Sequence, residues 1–413
     1  MADIDDHFRE SHPPLTSAQA VTEANRCYFC YDAPCTEACP TDIDVPGFIR
    51  GIASGNMAGA AIKILQENIF GGSCARVCPT EILCEHACVW TKAGGPAVQI
   101  GALQRVATDW QMAQPTHPFI RAPATGKHIA IIGAGPAGLS AAHGMARRGH
   151  DVTVYDTKPK PGGLNEYGIA AYKLVDDFAA REIEFLLGIG GITLEHNKTL
   201  GDDLSLDDLA RNFDAVFLAL GQAAVNMAGV TGEHLPSVRN AVDFIAELRQ
   251  APDKSALKIP RRVLVIGGGN TAIDAATQAK LLGAEDVTIL YRKGRAQMSA
   301  TAIEQNWALT HHVVIHFHAA PVRIESETGE LCVVTESRRY PADLVLRAVG
   351  QKFHPLDGLE IENGRIKIDQ NHATSHPKIF AGGDCVPGLD LTVRAVQDGK
   401  CAARAIHEFL GCD

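Results

Sequence analysis

Twelve cysteines are the residues of this 413-residue chain whose type and spacing suggest chemistry most directly. Eight of them fall into two groups along the sequence. The first group contains Cys27, Cys30, Cys35 and Cys39, and the second contains Cys74, Cys78, Cys84 and Cys88. Pro follows Cys39 and Cys78, and C-x2-C runs that end in Cys-Pro are typical of iron–sulfur proteins, where the last Cys often serves another cluster. The spacing favours two such clusters. Zinc, which takes close ligand pairs and often histidine, and redox or structural thiols are the alternatives.

A dinucleotide-binding motif follows the cysteine region. A strand at residues 129–132 leads into Gly133-x-Gly135-x-x-Gly138, a helix follows, and a second strand ends on Asp156. In a βαβ unit the three glycines allow the tight turn, the approach of a pyrophosphate and the packing of helix on strand. The helix N-terminus attracts phosphate and the acid accepts from ribose hydroxyls, so we expect a bound dinucleotide here; an ordinary glycine turn is the alternative.

The same pattern returns later in the chain with a different strand end. Gly267 and Gly269 occupy the first two glycine positions, and the strand at 287–290 is followed by Arg292 and Lys293 instead of an acid. Two cations suit the 2′-phosphate of NADP, whereas an acid suits the 2′-hydroxyl of NAD. NADPH is therefore favoured and NADH remains possible; a solvated cluster of charges at the strand end is the alternative.

The elements that position these motifs follow from periodicity and composition. Apolar residues recur every three or four positions around the cysteines, with Leu103, Val106 and Trp110 on one face, which predicts a small helical domain. Residues 114–127 contain three prolines and read as a linker. If the strand near residue 380 joins the sheet of the first motif, the second dinucleotide fold is inserted within the first.

Composition excludes several classes of protein. A net charge of −10 without a basic block argues against nucleic-acid binding, and no apolar run is long enough for a membrane span. The acidic start MADIDDHFRE lacks the features of a signal peptide, so we expect a cytoplasmic protein, in which cysteines bind metal more often than they form disulfides.

Several motifs together carry a family resemblance. IIGAGPAG, VIGGGNTA and IFAGGD resemble the two nucleotide domains of glutathione-reductase-like flavoproteins. RCYFCYDAPCTEACPT, GGSCARVCPTEILCEHAC and GPAVQIGALQRVATDW resemble the N-terminal half of dihydropyrimidine dehydrogenase, and more distantly the glutamate synthase small subunit. The resemblance implies an α/β fold with two Rossmann-like domains, the second inserted in the first, preceded by an all-α iron–sulfur domain. It implies a helical domain at 1–122, an FAD-binding domain at 123–255 and 350–413, and an NAD(P)H-binding domain at 256–349.

The resemblance also implies cofactors and their ligands. Two 4Fe–4S clusters are expected, one held by Cys27, Cys30, Cys35 and Cys88, and the other by Cys39, Cys78, Cys84 and Gln104. A plain helix hydrogen bond is the alternative role for Gln104. The residues expected at FAD are Gly133, Gly135, Pro136, Ala137, Gly138, Asp156, Gly163, Leu164, Lys173, Gly383, Asp384 and Thr392. Those expected at NAD(P)H are Gly267, Gly268, Gly269, Asn270, Thr271, Arg292 and Lys293.

These features predict an electron-entry subunit. The C-x4-C dithiol of disulfide reductases is absent from the flavin domain, and no third nucleotide motif remains for an FMN domain. We therefore expect hydride transfer from NAD(P)H to FAD, then electron transfer through the clusters to an FMN-containing dihydropyrimidine dehydrogenase subunit that reduces uracil or thymine. A donor to glutamate synthase or another oxidoreductase is one alternative, and a non-enzymatic binding module is the other. No catalytic residue is assigned.

Overall fold

The structure is a computed structural model that describes residues 4–327, 330–354 and 356–412. The chain divides into two compact units. The first-fingerprint unit contains residues 12–165, 176–222 and 353–412, and therefore holds both the cysteine region and the first glycine motif. The second-fingerprint unit contains residues 4–11, 166–175 and 223–352. It is larger than the predicted NAD(P)H-binding domain, because it includes residues 166–175 and 223–255, which the prediction placed in the FAD-binding domain.

The helices in the described residues, labelled in chain order, are α1 (Ile4–His7), α2 (Ser17–Ala24), α3 (Pro34–Glu37), α4 (Val45–Ala53), α5 (Met57–Leu65), α6 (Gly71–Val77), α7 (Cys84–Ala87), α8 (Val89–Lys92), α9 (Ile100–Met112), α10 (Pro136–Arg147), α11 (Leu164–Tyr167), α12 (Phe178–Leu187), α13 (Leu206–Asn212), α14 (Ala241–Gln250), α15 (Asn270–Leu281), α16 (Ala302–Thr310) and α17 (Thr392–Phe409). Short 3-10 turns lie at Thr80–Ile82, Lys254–Ala256, Arg295–Gln297 and Gly383–Cys385.

The strands in the described residues are β1 (His128–Ile132), β2 (Asp151–Asp156), β3 (Ile192–His196), β4 (Ala215–Leu218), β5 (Ala224–Val225), β6 (Val238–Asn240), β7 (Arg262–Gly267), β8 (Asp286–Leu290), β9 (Val314–His316), β10 (Pro321–Glu327), β11 (Glu330–Thr335), β12 (Arg339–Ala342), β13 (Leu344–Ala348), β14 (Gln351–Lys352), β15 (Ile361–Glu362), β16 (Arg365–Ile366) and β17 (Ile379–Ala381).

A parallel five-stranded sheet forms the centre of the first-fingerprint unit, with strand order β17-β4-β1-β2-β3. β1 and β4 are almost continuously apolar and buried, as strands covered on both faces must be. β17 comes from the far end of the chain and pairs with β4, through Phe380 and Phe217 for example. In the order of the sequence, the strands of the second-motif sheet therefore lie between β4 and β17. The predicted fold class is confirmed.

The second-fingerprint unit contains another parallel sheet of the same size, with strand order β6-β13-β7-β8-β9. The fingerprint helix α15 packs on it through small side chains such as Ala272, Ala275 and Ala279, which are fully buried. An antiparallel sheet of β10, β11 and β12 belongs to the same unit. The two glycine motifs thus lie at equivalent positions, each between a central strand and the helix that follows it.

Helices without strands surround the cysteines, as the sequence predicts. α9 buries Leu103 and Ala107 against α4 and α5, together with Ile49 and Ile64. Of the three residues predicted to share a face of α9, Leu103 is buried, whereas Trp110 near the end of the helix is 37% exposed. The buried stripe of α9 follows Leu103, Ala107 and Gln111, and this row of residues four apart turns away from Trp110. None of the described helices has the length and apolar content that crossing a bilayer requires.

Candidate functional site

The first glycine motif forms a loop that only glycine can build. Gly133 has a φ of +108°, and a Cβ there would overlap the carbonyl oxygen of Ala219. A Cβ at Gly138 would overlap the carbonyl oxygen of Gly133. The loop ends at the N-cap Gly135, where α10 begins with Pro136 and Ala137 and its first amides remain available. This geometry suits a pyrophosphate at the helix N-terminus.

Asp156, at the end of β2, stabilises this loop by hydrogen bonding. Its Oδ2 accepts a hydrogen bond of 2.7 Å from the amide of Ala134, and its Oδ1 accepts one of 2.7 Å from the amide of Lys158. The sequence motif gave no signal of these bonds. They hold the carboxylate at the loop, beside the expected position of a ribose, and the ribose contact itself stays a prediction.

A second glycine-rich segment closes on the same loop. Gly163 has a φ of +54°, and a Cβ there would lie 2.8 Å from the Cα of Gly135. The amide of Gly162 donates a 2.7 Å hydrogen bond to the carbonyl of Ala134. Leu164, the next predicted residue, is 42% exposed at the start of α11. Gly163 and Gly135 therefore line two sides of one concave surface. This surface, formed by Gly133, Gly135 and Gly163, is called the cradle below.

The segment after β17 also reaches the first motif. Gly383 has a φ of +76°, and a Cβ there would lie 2.8 Å from the Cβ of Ala137. Burial, followed by the charge of Asp390, raises the pKa of Asp384 to about 7, although Arg365 opposes this. The structure thus brings the predicted residues Gly383 and Ala137 together across the sheet.

Thr392 is the first residue of α17, the last helix of the chain that the structure describes. Its Oγ1 donates a 2.9 Å hydrogen bond to Oδ1 of Asn165, whose side chain is buried next to the Gly162–Gly163 segment. The start of α17 is therefore bonded to the Gly162–Gly163 segment through Asn165, and the contact of Thr392 with FAD stays a prediction.

The second glycine motif has the same construction in its own unit. Gly267 has a φ of +145°, and a Cβ there would overlap the carbonyl oxygen of Ala348 on the neighbouring strand. A Cβ at Gly268 would overlap the ring of Tyr291. Gly269 is the N-cap of α15, and Asn270 and Thr271 form its first turn. A second phosphate-binding helix N-terminus is available here.

Arg292 and Lys293 follow β8 and are both exposed. Neither forms an ion pair or side-chain hydrogen bond within residues 4–327, 330–354 and 356–412. Arg295 differs, because its guanidinium donates to Asn306 Oδ1 at 2.9 Å and to Gln305 Oε1 at 3.3 Å. The cations of Arg292 and Lys293 are therefore available for a ligand, whereas Arg295 is hydrogen-bonded to α16.

Lys173 lies in the second-fingerprint unit and is almost fully buried. Its Nζ lies 2.7 Å from Oδ1 of Asp274 and 2.7 Å from Oε1 of Glu304. Tyr172 donates a 3.0 Å hydrogen bond to the same oxygen of Asp274. The opposing charges of Asp274 and Glu304 outweigh burial and raise the pKa of Lys173. The expected contact of Lys173 with a flavin stays a prediction.

The first predicted ligand set, Cys27, Cys30, Cys35 and Cys88, lies around a helical core. Burial, followed by the charges of Cys27 and Cys88, raises the pKa of Cys35 to about 12. Burial raises the pKa of Cys27, with smaller contributions from Cys30 and Cys88. Cys88 is buried in the same core against which Cys27 and Cys35 pack. Cys35 and Cys88, which are more than fifty positions apart in the sequence, are therefore close enough for their charges to interact, and the ligand set itself stays a prediction.

The second predicted set is assembled at the C-terminal end of α6. A hydrogen bond with Cys74, together with burial, raises the pKa of Cys78, and the charges of Cys84 and Cys39 act in the same direction. Burial raises the pKa of Cys84, and Cys39 contributes to that shift. Cys74, for which the resemblance gives no ligand role, lies one helical turn before Cys78 and contacts it.

Gln104 is buried on α9, and its Nε2 donates a 2.7 Å hydrogen bond to the carbonyl of Gly71 at the start of α6. This bond was the alternative role for Gln104, and it fixes the amide nitrogen without assigning a role to the oxygen. No group of three or more His, Cys, Asp or Glu side chains in the part of the chain that the structure describes is arranged to hold a single metal ion. The ligand roles of the thiols and of Gln104 stay predictions.

The thiols suit an iron–sulfur cluster, and the two glycine loops suit dinucleotides, as the motifs suggest. Two family models match the chain. One, described as pyridine nucleotide-disulphide oxidoreductase, matches residues 127–399. The other, described as dihydropyrimidine dehydrogenase domain II, 4Fe-4S cluster, matches residues 4–116. The chain therefore belongs to the pyridine nucleotide-disulphide oxidoreductase family, in a form with an N-terminal iron–sulfur domain. Its cofactors are FAD, NAD(P)H and a 4Fe–4S cluster.

Two individual proteins resemble this chain over nearly its full length. The chain is 38% identical to the NAD-dependent dihydropyrimidine dehydrogenase subunit PreT of Escherichia coli (strain K12), over 98% of this chain and 97% of that protein. It is 34% identical to the glutamate synthase (NADPH) small chain of the same organism, over 98% of this chain and 94% of that protein. The resemblance predicted from the motifs is confirmed.

A solved structure supports the fold alone. Mycobacterium tuberculosis FprA in complex with NADPH superposes with a TM-score of 0.56 at 19% identity, over 70% of this chain and 85% of that one. This likeness supports the fold in which the strands of one parallel sheet lie, in sequence, between strands of the other.

Proposed function

We propose that this chain is the electron-entry subunit of a dihydropyrimidine dehydrogenase. In this role it takes electrons from NAD(P)H and delivers them to an FMN-containing partner that reduces uracil or thymine. The observation that carries the proposal is the shared core of the first-fingerprint unit. Cys74 is buried in the same hydrophobic cluster as Ala137 and Val393, and Cys78 packs against that cluster. Cys78 of the second ligand set therefore lies against the domain that holds the first glycine motif.

The cofactors supply the electron chemistry, because a flavin accepts a hydride and releases single electrons, which iron–sulfur clusters can carry. The protein binds and orients them. Gly133, Gly135 and Gly163 form a cradle that side chains would fill, and the N-terminus of α10 faces it. The two thiol sets offer seven cysteines, with Gln104 as the proposed eighth ligand, so we propose two 4Fe–4S clusters.

We propose NADPH as the preferred nicotinamide donor. Arg292 and Lys293 stand at the strand end where an acid would bind the ribose of NAD, and neither is neutralised by a neighbour in the described residues. The names of the two relatives differ in the nicotinamide they give, NAD for one and NADPH for the other. The proposal therefore rests on the residues of this chain.

A dihydropyrimidine dehydrogenase partner is favoured over glutamate synthase. The iron–sulfur region matches a model described for dihydropyrimidine dehydrogenase, and PreT is a relative over almost its whole length. The glutamate synthase small chain is nearly as similar, so it defines the second candidate. The two candidates share the electron-input chemistry and differ only in the acceptor.

Reconstitution distinguishes these candidates. We expect the purified chain with its cofactors to reduce ferricyanide with NADPH and to leave uracil unchanged. Adding an FMN-containing dihydropyrimidine dehydrogenase subunit is expected to give dihydrouracil, whereas adding a glutamate synthase large subunit with glutamine and 2-oxoglutarate is expected to give no NADPH-dependent consumption of 2-oxoglutarate. Uracil reduction by the chain alone, or NADPH-dependent conversion of 2-oxoglutarate to glutamate in the second mixture, would contradict the proposal.

A further inference from the structure

A buried carboxylate joins the cysteine region to the nucleotide-binding sheet within the first-fingerprint unit. Glu182 on α12 is 1% exposed, and its Oε1 accepts a 2.9 Å hydrogen bond from the amide of Ser73 on α6. The hydroxyl of Ser73 donates a short hydrogen bond to Oε2 of the same carboxylate. Both oxygens of Glu182 are thus occupied by one residue of the helix that leads to Cys78.

The helices approach each other closely at this point. A Cβ at Gly72 would lie 2.6 Å from the ring of Phe178 and 2.8 Å from Oε1 of Glu182, so only glycine fits between α6 and α12. The guanidinium of Arg76 lies 3.6 Å from the centre of the Phe178 ring and forms an ion pair with Asp109 on α9. α6 is therefore held against α12 by an aromatic and a steric contact, and the ion pair of Arg76 joins α6 to α9.

Glu182 also supplies what α6 lacks in its own sequence. The N-cap of α6, Phe70, makes no side-chain hydrogen bond to the helix, and its first amides need partners from elsewhere. A carboxylate is favourable at a helix N-terminus, where the peptide dipoles leave partial positive charge. Burial raises the pKa of Glu182 to about 7, while Ser73, Arg76 and the amide of Gly72 act to lower it. The carboxyl is costly to bury, and its bonds to α6 are what offset that cost.

We propose that Glu182 is a positioning residue for electron transfer between the two halves of the first-fingerprint unit. It holds the N-terminal end of α6 on the domain of the first glycine motif, and α6 in turn carries Cys78 at its C-terminal end. α6 is about 10 Å long, so a displacement of its capped end is transmitted to the thiol. The inference rests on the proposed function, because it assigns Glu182 to the step between the flavin and the second thiol set.

Three variants test this role. Glu182→Gln keeps an acceptor for the Ser73 amide and removes the charge, Glu182→Ala removes both, and Glu184→Gln changes an exposed carboxylate two residues away on the same helix. Losing a charge-assisted hydrogen bond shifts the equilibrium between docked and undocked α6 by about tenfold to a hundredfold.

In stopped-flow experiments with NADPH, we expect flavin bleaching to be unchanged in all three variants. The subsequent rise of the reduced-cluster electron paramagnetic resonance signal is expected to slow in the order Glu182→Ala, then Glu182→Gln, with Glu184→Gln like the wild type. Bound iron and flavin are measured in parallel. Equal slowing of bleaching and cluster reduction, or unchanged cluster reduction in Glu182→Ala at full iron content, would overturn the proposal.

Amide hydrogen exchange provides a readout that does not depend on redox chemistry. We expect the peptide that covers α6 to exchange faster in Glu182→Gln than in Glu184→Gln, because a neutral amide oxygen is a weaker acceptor for the amide of Ser73 than the carboxylate is. Unchanged exchange in α6 would show that Glu182 does not hold this helix. If wild-type protein shows no NADPH-dependent cluster reduction, the proposed function fails, and the exchange experiment still decides whether Glu182 fixes α6.

Discussion

Gly399 of α17 lies directly against the backbone of Ala137 in α10. A Cβ at residue 399 would overlap the carbonyl oxygen of Ala137 and would lie 2.9 Å from the amide nitrogen of Ala141. One turn away, the hydroxyl of Ser140 donates a 2.9 Å hydrogen bond to the carbonyl of Val396. The last described helix and the first fingerprint helix are therefore in contact along their backbones, close to the N-terminus of α10 where a phosphate is proposed to bind.

Replacing Gly399 by Ala is expected to push α17 away from α10 and to reduce flavin occupancy and the thermal midpoint of unfolding. Overpacking of this kind typically costs about 1–3 kcal/mol. Gly388→Ala is the matched control, because a Cβ there would meet only the end of the Arg394 side chain, at 4.0 Å. Flavin absorbance per protein and the melting temperature check the prediction. Full flavin content in Gly399→Ala would show that the close contact is not needed.

The thiol sets predict about eight iron atoms per chain, with matching acid-labile sulfide. Replacing Cys39 by Ala is expected to halve the iron, since Cys39 belongs to one set only, while flavin bleaching by NADPH stays near the wild-type rate. Cys401→Ala is the control, because Cys401 lies on α17 outside both sets. Anaerobic purification followed by metal analysis gives the answer. Stoichiometric zinc without iron would contradict the proposed clusters.

Neutral residues at Arg292 and Lys293 are expected to raise KM for NADPH by about tenfold to a hundredfold and to leave KM for NADH nearly unchanged. The reason is that only NADPH carries the 2′-phosphate that the two cations would bind. Lys280→Gln is the control, because Lys280 lies at the other end of α15 and donates to the carbonyl of Glu285. Steady-state ferricyanide reduction with each donor measures the effect. Equal loss with both donors, or a wild-type preference for NADH, would argue against this role.

His143 predicts a loss of stability in acid. It is buried on α10, and burial, followed by His117, Arg147 and Arg148, lowers its pKa to about 3. Because the unfolded chain binds this proton near pH 6.5 and the folded protein only near pH 3, stability falls as the pH drops through that window, by about 2 kcal/mol at pH 5. His143→Leu is expected to reduce the drop in urea midpoint between pH 7.5 and pH 5, as judged against His86→Gln, an exposed site. An unchanged drop would exclude His143 as its source.

The sequence predicts those parts of the fold that depend on local rules. The turn at Gly133 and the buried run of β1 follow from residue types that allow few other conformations. The family resemblance grouped Cys35 with Cys88, and the charge of Cys88 raises the pKa of Cys35 in the folded chain; their roles as cluster ligands stay predictions. Trp110 shows the limit of periodicity, since the burial of an end-of-helix residue depends on which neighbours extend that far.

The interactions that the sequence could not predict join distant segments. Ser73 and Glu182 are separated by 109 positions, and neither belongs to a motif. Asp156 stood in a recognised position, yet its bonds to the amides of Ala134 and Lys158 depend on the conformation of two loops. Such pairs are selected by three-dimensional packing, so no local pattern in the sequence reports them.

The strand order has a consequence for synthesis of the chain. β4 leaves the ribosome before the whole second parallel sheet, whereas its outer neighbour β17 follows only after β13 has been made. During that interval the apolar residues of β4, from Ala215 to Leu218, form an open edge, which is a site for unwanted strand pairing. A nascent chain can therefore finish the sheet of the second glycine motif while the sheet of the first is still incomplete. The cradle at Gly133 gains its cover from Gly383 and α17 last, so we expect the proposed FAD to be loaded at the end of folding.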